Sequence, residues 1–249
     1  MKESKLLNRD LPSEDLRHHN QTDPHQRASA LSDIILGGQD GLVNVLGVIL
    51  GIAAATGDAY LVLVAGLAAT FAESVSMGAV AYTSTVADAD FYESEREREY
   101  RHIKEVPSLE REEIRSIYAN KGLDGELLTK IVDTITANQD VWVAVMMAEE
   151  HQLQPVNRKH ALRSALIVGV AAIIGSLIPL IPFMFLTVTS AMVLSIAMSG
   201  VVLFAVGAVK ARMTVGHPGK SGVEMATIGI VSALVGYAVG ILLKLPAAP

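Results

Sequence analysis

Apolar residues along this chain gather into five long runs, separated by short joints and one long polar insertion. The runs cover about Ile34 to Ala55, Ala59 to Val86, Ala161 to Ile178, Phe183 to Val209 and Gly222 to Leu243. As a helix, each is long enough to cross about 30 Å of hydrocarbon. Two joints are very short: Thr56-Gly57-Asp58, and Pro179 to Pro182, where two prolines are placed to end one helix and open the next. Joints this short predict antiparallel neighbours. The pattern predicts an all-α polytopic membrane protein with five transmembrane helices.

The insertion, residues 88–157, also reads as helical. Glu93 to Glu105 is rich in helix formers and stops before Pro107. Ser108 is placed to cap a second helix that stops at Gly122. Further helices are expected over Asp124 to Asn138 and Gln139 to Gln152. The chain thus divides into a polar, disordered N-terminus (1–30), two spans (31–87), the helical insertion (88–157) and three spans (158–249). The polar start has no apolar core of the kind a cleavable signal peptide needs.

Charge orients the chain. All of the 20 Lys and Arg except Lys244 fall on one side of the five runs. The positive-inside rule makes that side cytoplasmic, with the N-terminus and residues 88–157, and puts the C-terminus outside or in a lumen. Plasma membrane and vacuole fit equally. Composition agrees: 51% of residues are hydrophobic, mean hydropathy is +0.39, and Gly is frequent while aromatics are 5%. Small residues let membrane helices pack closely. The net charge of −6 argues against nucleic acid as a partner. The absence of cysteine excludes thiolate metal sites and a Cys nucleophile.

Two carboxylates fall inside apolar runs, Asp40 in the first and Glu73 in the second. A charge at bilayer depth costs about 2.5 to 3.5 kcal/mol on insertion scales, so such groups usually face a cavity or a partner. Asp40 lies on a stripe of Gly37, Asn44, Gly47 and Gly51, one polar, small-residue helix face. Glu73 and Met77 are four apart and share a face. If the two faces meet, Asp40, Asn44, Glu73 and Met77 offer oxygen and thioether ligands to a divalent cation. Plainer readings stay open. Asp40 could cap its helix at the interface, Met77 could fill the core, and the glycines could serve packing alone.

In the insertion, Glu99 and His102 are three apart, as are Glu110 and Glu113. MMAEEH adds Met146, Met147, Glu149, Glu150 and His151, with Met146 and Met147 within one helical turn of Glu150. Brought together, these faces make an acidic site with some nitrogen and sulfur. A solvated face of alternating charge, with Glu97 and Arg101 paired, is the competing reading. Walker A, HExxH and GxSxG motifs are all missing, so an ATP-driven pump is not expected, and an ion-gradient-driven carrier or a channel remains. No catalytic residues are assigned.

SDIILGGQDGLVNVLGVILG in the first run and AGLAATFAESVSMGAVAYTS in the second are followed by MMAEE in the insertion and IPLIPF after the third run. In this order they resemble the vacuolar iron transporter family, over roughly residues 30–245. The resemblance implies a homodimer in the bilayer that exports ferrous iron from the cytosol, often manganese too, in exchange for protons. It implies transported Fe2+, with Mn2+, Co2+ and Zn2+ as further cargo, and no permanently bound cofactor. It implies an ion path lined by Asp40 and Met77, and cytoplasmic metal ligands at Glu99, Glu110, Glu113, Met146, Met147 and Glu150. Two positions depart from the family pattern. His102 stands where a glutamate is usual, and the second span has Ala69 where a glutamate is common, with Glu73 one turn on. Two other classes compete. One is a membrane-anchored divalent-metal sensor or binding module that transports nothing. The other is a di-iron enzyme, which needs a second Glu-x-x-His pair that the insertion lacks.

Overall fold

The computed structural model describes residues 28–214 and 216–244. The disordered lead-in expected over residues 1–30 lies outside it up to residue 27. The described residues form α-helices and one 3-10 turn, with no strand among them. The helices are α1 (Ala28–Thr56), α2 (Ala59–Glu105), α3 (Pro107–Asn120), α4 (Gly125–Thr136), α5 (Gln139–Glu149), α6 (Lys159–Leu180), α7 (Val188–Met213) and α8 (Pro218–Leu242). Five of them, α1, α2, α6, α7 and α8, are long and apolar enough to cross a membrane. The chain divides into two compact units. One is built from residues up to Gly78 and from Ser164 onward, the other from Ala79–Arg163.

In the first unit α1 is the central helix. Val45, Leu46, Ile49 and Leu50 are fully buried, and they pack with Val62 of α2, Leu180, Phe183 and Ala233 of α8. Small residues set the spacing. Near its start, α1 lies so close to α6 that a Cβ at Gly37 or Gly41 would fall on the carbonyl oxygen of Val168 or Ala172. Further on it meets α8, where a Cβ at Gly236 or Gly240 would fall on the backbone of Gly47 or Gly51. The Gly37, Gly47 and Gly51 of the polar stripe therefore serve helix packing, the reading that needs no transport role. Gly240→Val is expected to destabilise the detergent-solubilised protein by about 1 to 3 kcal/mol, the usual range for forced overpacking. A lowered Tm checks this, and an unchanged Tm would mean that α1 and α8 can separate freely.

Two expected joints are drawn differently. Pro179 and Pro182 do not open the next helix directly. Pro179 sits in the last turn of α6, a 3-10 turn occupies Ile181–Met184, and α7 starts only at Val188. Phe183, expected to begin the fourth span, is instead a buried wedge in the core. The hydroxyl of Ser195 donates to the Pro179 carbonyl at 2.6 Å, satisfying a helix-end acceptor. The second apolar run and the helical stretch Glu93 to Glu105 are one element, because α2 runs unbroken to Glu105. The sequence there changes polarity but contains no Gly or Pro, and polarity alone does not stop a helix.

In the second unit α3 starts at Pro107, with Val106 before it, rather than at a Ser108 cap. Proline is preorganised for the first helical position, so no side-chain cap is needed. Gly122 ends the helix at φ 91°, and its N–H donates to Ala119 O at 2.9 Å. Asn138 caps α5 by accepting from the N–H groups of Asp140 and Val141. That helix ends at Glu149, short of the expected Gln152, which adopts φ 55°. Ile103, Ile114, Val132, Trp142, Val143, Met146 and Met147 form the core. Arg111 pairs with Asp133, Lys121 with Glu149 and Arg158 with Asp90. Tyr100 donates to Asp140 at 2.7 Å.

Candidate metal sites

Each unit carries its own polar cluster. In the first unit, Asp40 and Asn44 lie one turn apart on α1, and the Asn44 amide donates to the Asp40 carboxylate at 3.3 Å. Glu73 of α2 lies close to both. Three of the four residues on the two faces expected to meet, Asp40, Asn44 and Glu73, thus come together within the apolar lengths of α1 and α2. Asp40 and Glu73 are half-buried, while Asn44 is exposed on the chain's own surface. Met77, one turn beyond Glu73 on α2, is half-buried. Two carboxylates side by side at bilayer depth repel one another, and a shared cation or proton relieves that repulsion.

In the second unit, Glu95, Glu99 and His102 project from one face of α2. Glu110 and Glu113 come from α3, where Ile114 anchors the helix in the core. Glu150 and His151 follow the end of α5. All seven residues line one cavity of about 350 Å³. Two sets of three bring ligand atoms within 4.8 Å of one another, Glu99 with His102 and Glu110, and Glu99 with Glu150 and His151. His102 Nδ1 is 3.4 Å from Glu110 and 3.8 Å from Glu99, and His151 Nε2 is 2.9 Å from Glu99. Glu99 and Glu110 are only 2% and 3% exposed, and one oxygen of each has no hydrogen-bond partner. Buried carboxylate oxygens without donors are costly. A divalent cation in the cavity would satisfy them.

Five of the seven expected ligands therefore meet: Glu99, His102, Glu110, Glu113 and Glu150. Met146 and Met147 are fully buried in the unit's apolar core and do not line the cavity. His151 and Glu95 were not assigned from the sequence. Glu95 had a usable signal, one turn before Glu99. His151 stood in the MMAEEH run but was not counted among the ligands, because its approach to Glu99 depends on α5 ending two residues before it and on the turn at Gln152. The pair Glu97–Arg101 does not form. Arg96 pairs with Glu93 at 2.8 Å and Arg98 with Glu95 at 2.9 Å.

Crowding shifts the acid groups. Burial, helped by the charges of Glu99, Glu113 and Glu150 and a hydrogen bond with Glu113, pushes the Glu110 carboxyl up to about 7. Burial and the Glu113 charge raise Glu150. Burial disfavours charge on His151, but its hydrogen bond to Glu99 and the surrounding carboxylates outweigh that and raise it. An acid raised in the folded state contributes stability that is complete below its unfolded value and is lost as pH rises through the folded one. Without metal, the second unit is expected to lose stability as pH rises from about 4.5 to about 7. Glu110 alone contributes about a 100-fold change in the local opening constant. Hydrogen exchange of α3 and α5, corrected for the intrinsic rate, measures it, and saturating Zn2+ is expected to flatten the trend. A flat profile without metal would show that Glu110 titrates as an ordinary carboxylate.

The family model for the VIT family matches residues 31–241. Vacuolar iron transporter 1 of Oryza sativa subsp. japonica is 34% identical over 222 residues, 88% of this chain and 88% of its own. Vacuolar iron transporter 1 of Arabidopsis thaliana is 32% identical over 224 residues, 89% of each. A vacuolar iron transporter of Plasmodium falciparum is 29% identical over 225 residues, 86% of this chain and 82% of its own.

Proposed function

The chain belongs to the vacuolar iron transporter (VIT) family, and from that premise we propose that it carries ferrous iron out of the cytosol in exchange for protons. Manganese and other divalent cations are further cargo. The observation that carries the reading is the group of Asp40, Asn44 and Glu73 inside helices fit to span a membrane. Such groups are expensive there unless they handle an ion.

The second unit collects metal on the cytosolic side through Glu99, His102, Glu110, Glu113 and Glu150, with Met146 and Met147 on the helix leading to Glu150. Iron then passes to Asp40 and Met77. Asp40 and Glu73 hold either the cation or protons, and that competition couples the two fluxes without nucleotide. Asn44, a polar amide exposed near mid-span, favours a homodimer in which a second copy covers this face and completes the path.

Ferrous iron uptake into proteoliposomes under an imposed pH gradient tests the proposal. Uptake that depends on the gradient supports exchange. No uptake under any gradient, with metal still bound by the protein, would turn the reading to a membrane-anchored metal sensor.

A further inference from the structure

The cavity of the second unit is not purely an oxygen site. His102 and His151 approach the buried Glu99 from different elements, α2 and the segment after α5. Each stands in a separate three-residue ligand group that shares Glu99. The unpartnered oxygens of Glu99 and Glu110 mark the cavity as a place for a cation rather than a mere acidic surface. We propose that His151 is a metal ligand and that, with His102, it supplies two nitrogen donors which set this unit's cation preference. That preference is for zinc-like borderline cations over manganese. The inference rests on the reading that the second unit collects metal, and it specifies which cargo is collected best.

Ligand chemistry supplies the reason. Carboxylate oxygens suit Mg2+, Ca2+ and Mn2+, whereas imidazole suits zinc, iron, nickel and copper. Affinity rises from Mn2+ through Fe2+ and Co2+ along the first row, with Zn2+ above Mn2+. Nitrogen donors steepen that rise, and one imidazole in each ligand group means that neither half of the cavity is oxygen-only. His151 also makes a 2.9 Å contact to Glu99. That contact holds the imidazole at the cavity beside the carboxylate with which it would share the cation.

The test uses full-length protein in detergent with Asp40→Ala and Glu73→Gln in place, so that the membrane cluster does not bind. Competition titration gives the Zn2+ and Mn2+ dissociation constants with both histidines intact and with His102→Glu plus His151→Glu. The intact cavity is expected to favour Zn2+ by at least about 100-fold, and the double variant to shrink that ratio by at least about tenfold while keeping Mn2+ binding. X-ray absorption of the Zn2+-loaded protein is expected to show imidazole scattering that weakens in His151→Glu alone. Metal bound with an unchanged ratio and no imidazole scattering would overturn the inference and leave the transport reading standing. Failure to bind either metal would overturn both the inference and the collecting role of the second unit, and iron uptake by the unmodified protein would then show whether transport survives without it.

Discussion

Asp40→Ala is expected to bring ferrous iron uptake into proteoliposomes down to the level of protein-free vesicles, a loss of at least about 100-fold, while leaving the protein folded. Among the described residues, Asp40 is half-buried with Asn44 and Glu73 as its side-chain neighbours, so its removal disturbs little packing. What it removes is one of the two charges able to offset a divalent cation at that depth. Each uncompensated charge there costs about 2.5 to 3.5 kcal/mol or more, which by itself is about a 100-fold change in occupancy. Asp40→Asn keeps the shape and loses the charge, and is expected to fail equally. Glu73→Gln is expected to leave partial uptake with a weaker dependence on the pH gradient. Retained transport in Asp40→Ala would remove the intramembrane cluster from the mechanism.

The second large effect is expected at Glu99. Both three-residue ligand groups contain it, so one substitution dismantles both, whereas Glu150 or His102 belongs to one alone. With the membrane cluster silenced by Asp40→Ala and Glu73→Gln, Glu99→Gln is expected to weaken Zn2+ binding by about 100-fold, or about 2.7 kcal/mol. Glu150→Gln is expected to weaken it by about tenfold. Iron uptake in an otherwise unmodified chain is expected to fall in Glu99→Gln but not vanish, because in the proposed scheme the second unit only raises the supply of cation. Glu99→Gln also removes one of the charges that lift Glu110, so the pH trend in hydrogen exchange should shrink with it. Equal losses from Glu99→Gln and Glu150→Gln would mean that Glu99 bridges nothing.

The spans were legible because a continuous apolar run of about twenty residues matches the hydrocarbon thickness of a bilayer and little else in protein architecture. The intramembrane cluster was legible for a related reason. Asp40 and Glu73 stand out against an apolar background, and helical spacing brings Asn44 onto the face of Asp40. The second unit was harder. Glu99, Glu110 and Glu113 sit among many similar charged residues, and spacing alone does not tell a buried glutamate from a solvated one. Glu110 is buried one turn before Ile114, which is locked into a core assembled from four helices. Met146 and Met147 illustrate the converse. Proximity in sequence to Glu150 suggested ligands, while their apolar character took them into that core. The joints failed where proline was read as a separator, since Pro179 is tolerated in a last turn and Pro107 opens a helix.

Trp142 lies 7% exposed in the core of the second unit, and it is the only tryptophan in the chain. Excitation of the indole therefore interrogates residues 79–163 and is silent about the bilayer helices. The protein carries a built-in optical label at a single address. Melting of this helical bundle can be followed in intact vesicles, during turnover, without attaching any dye.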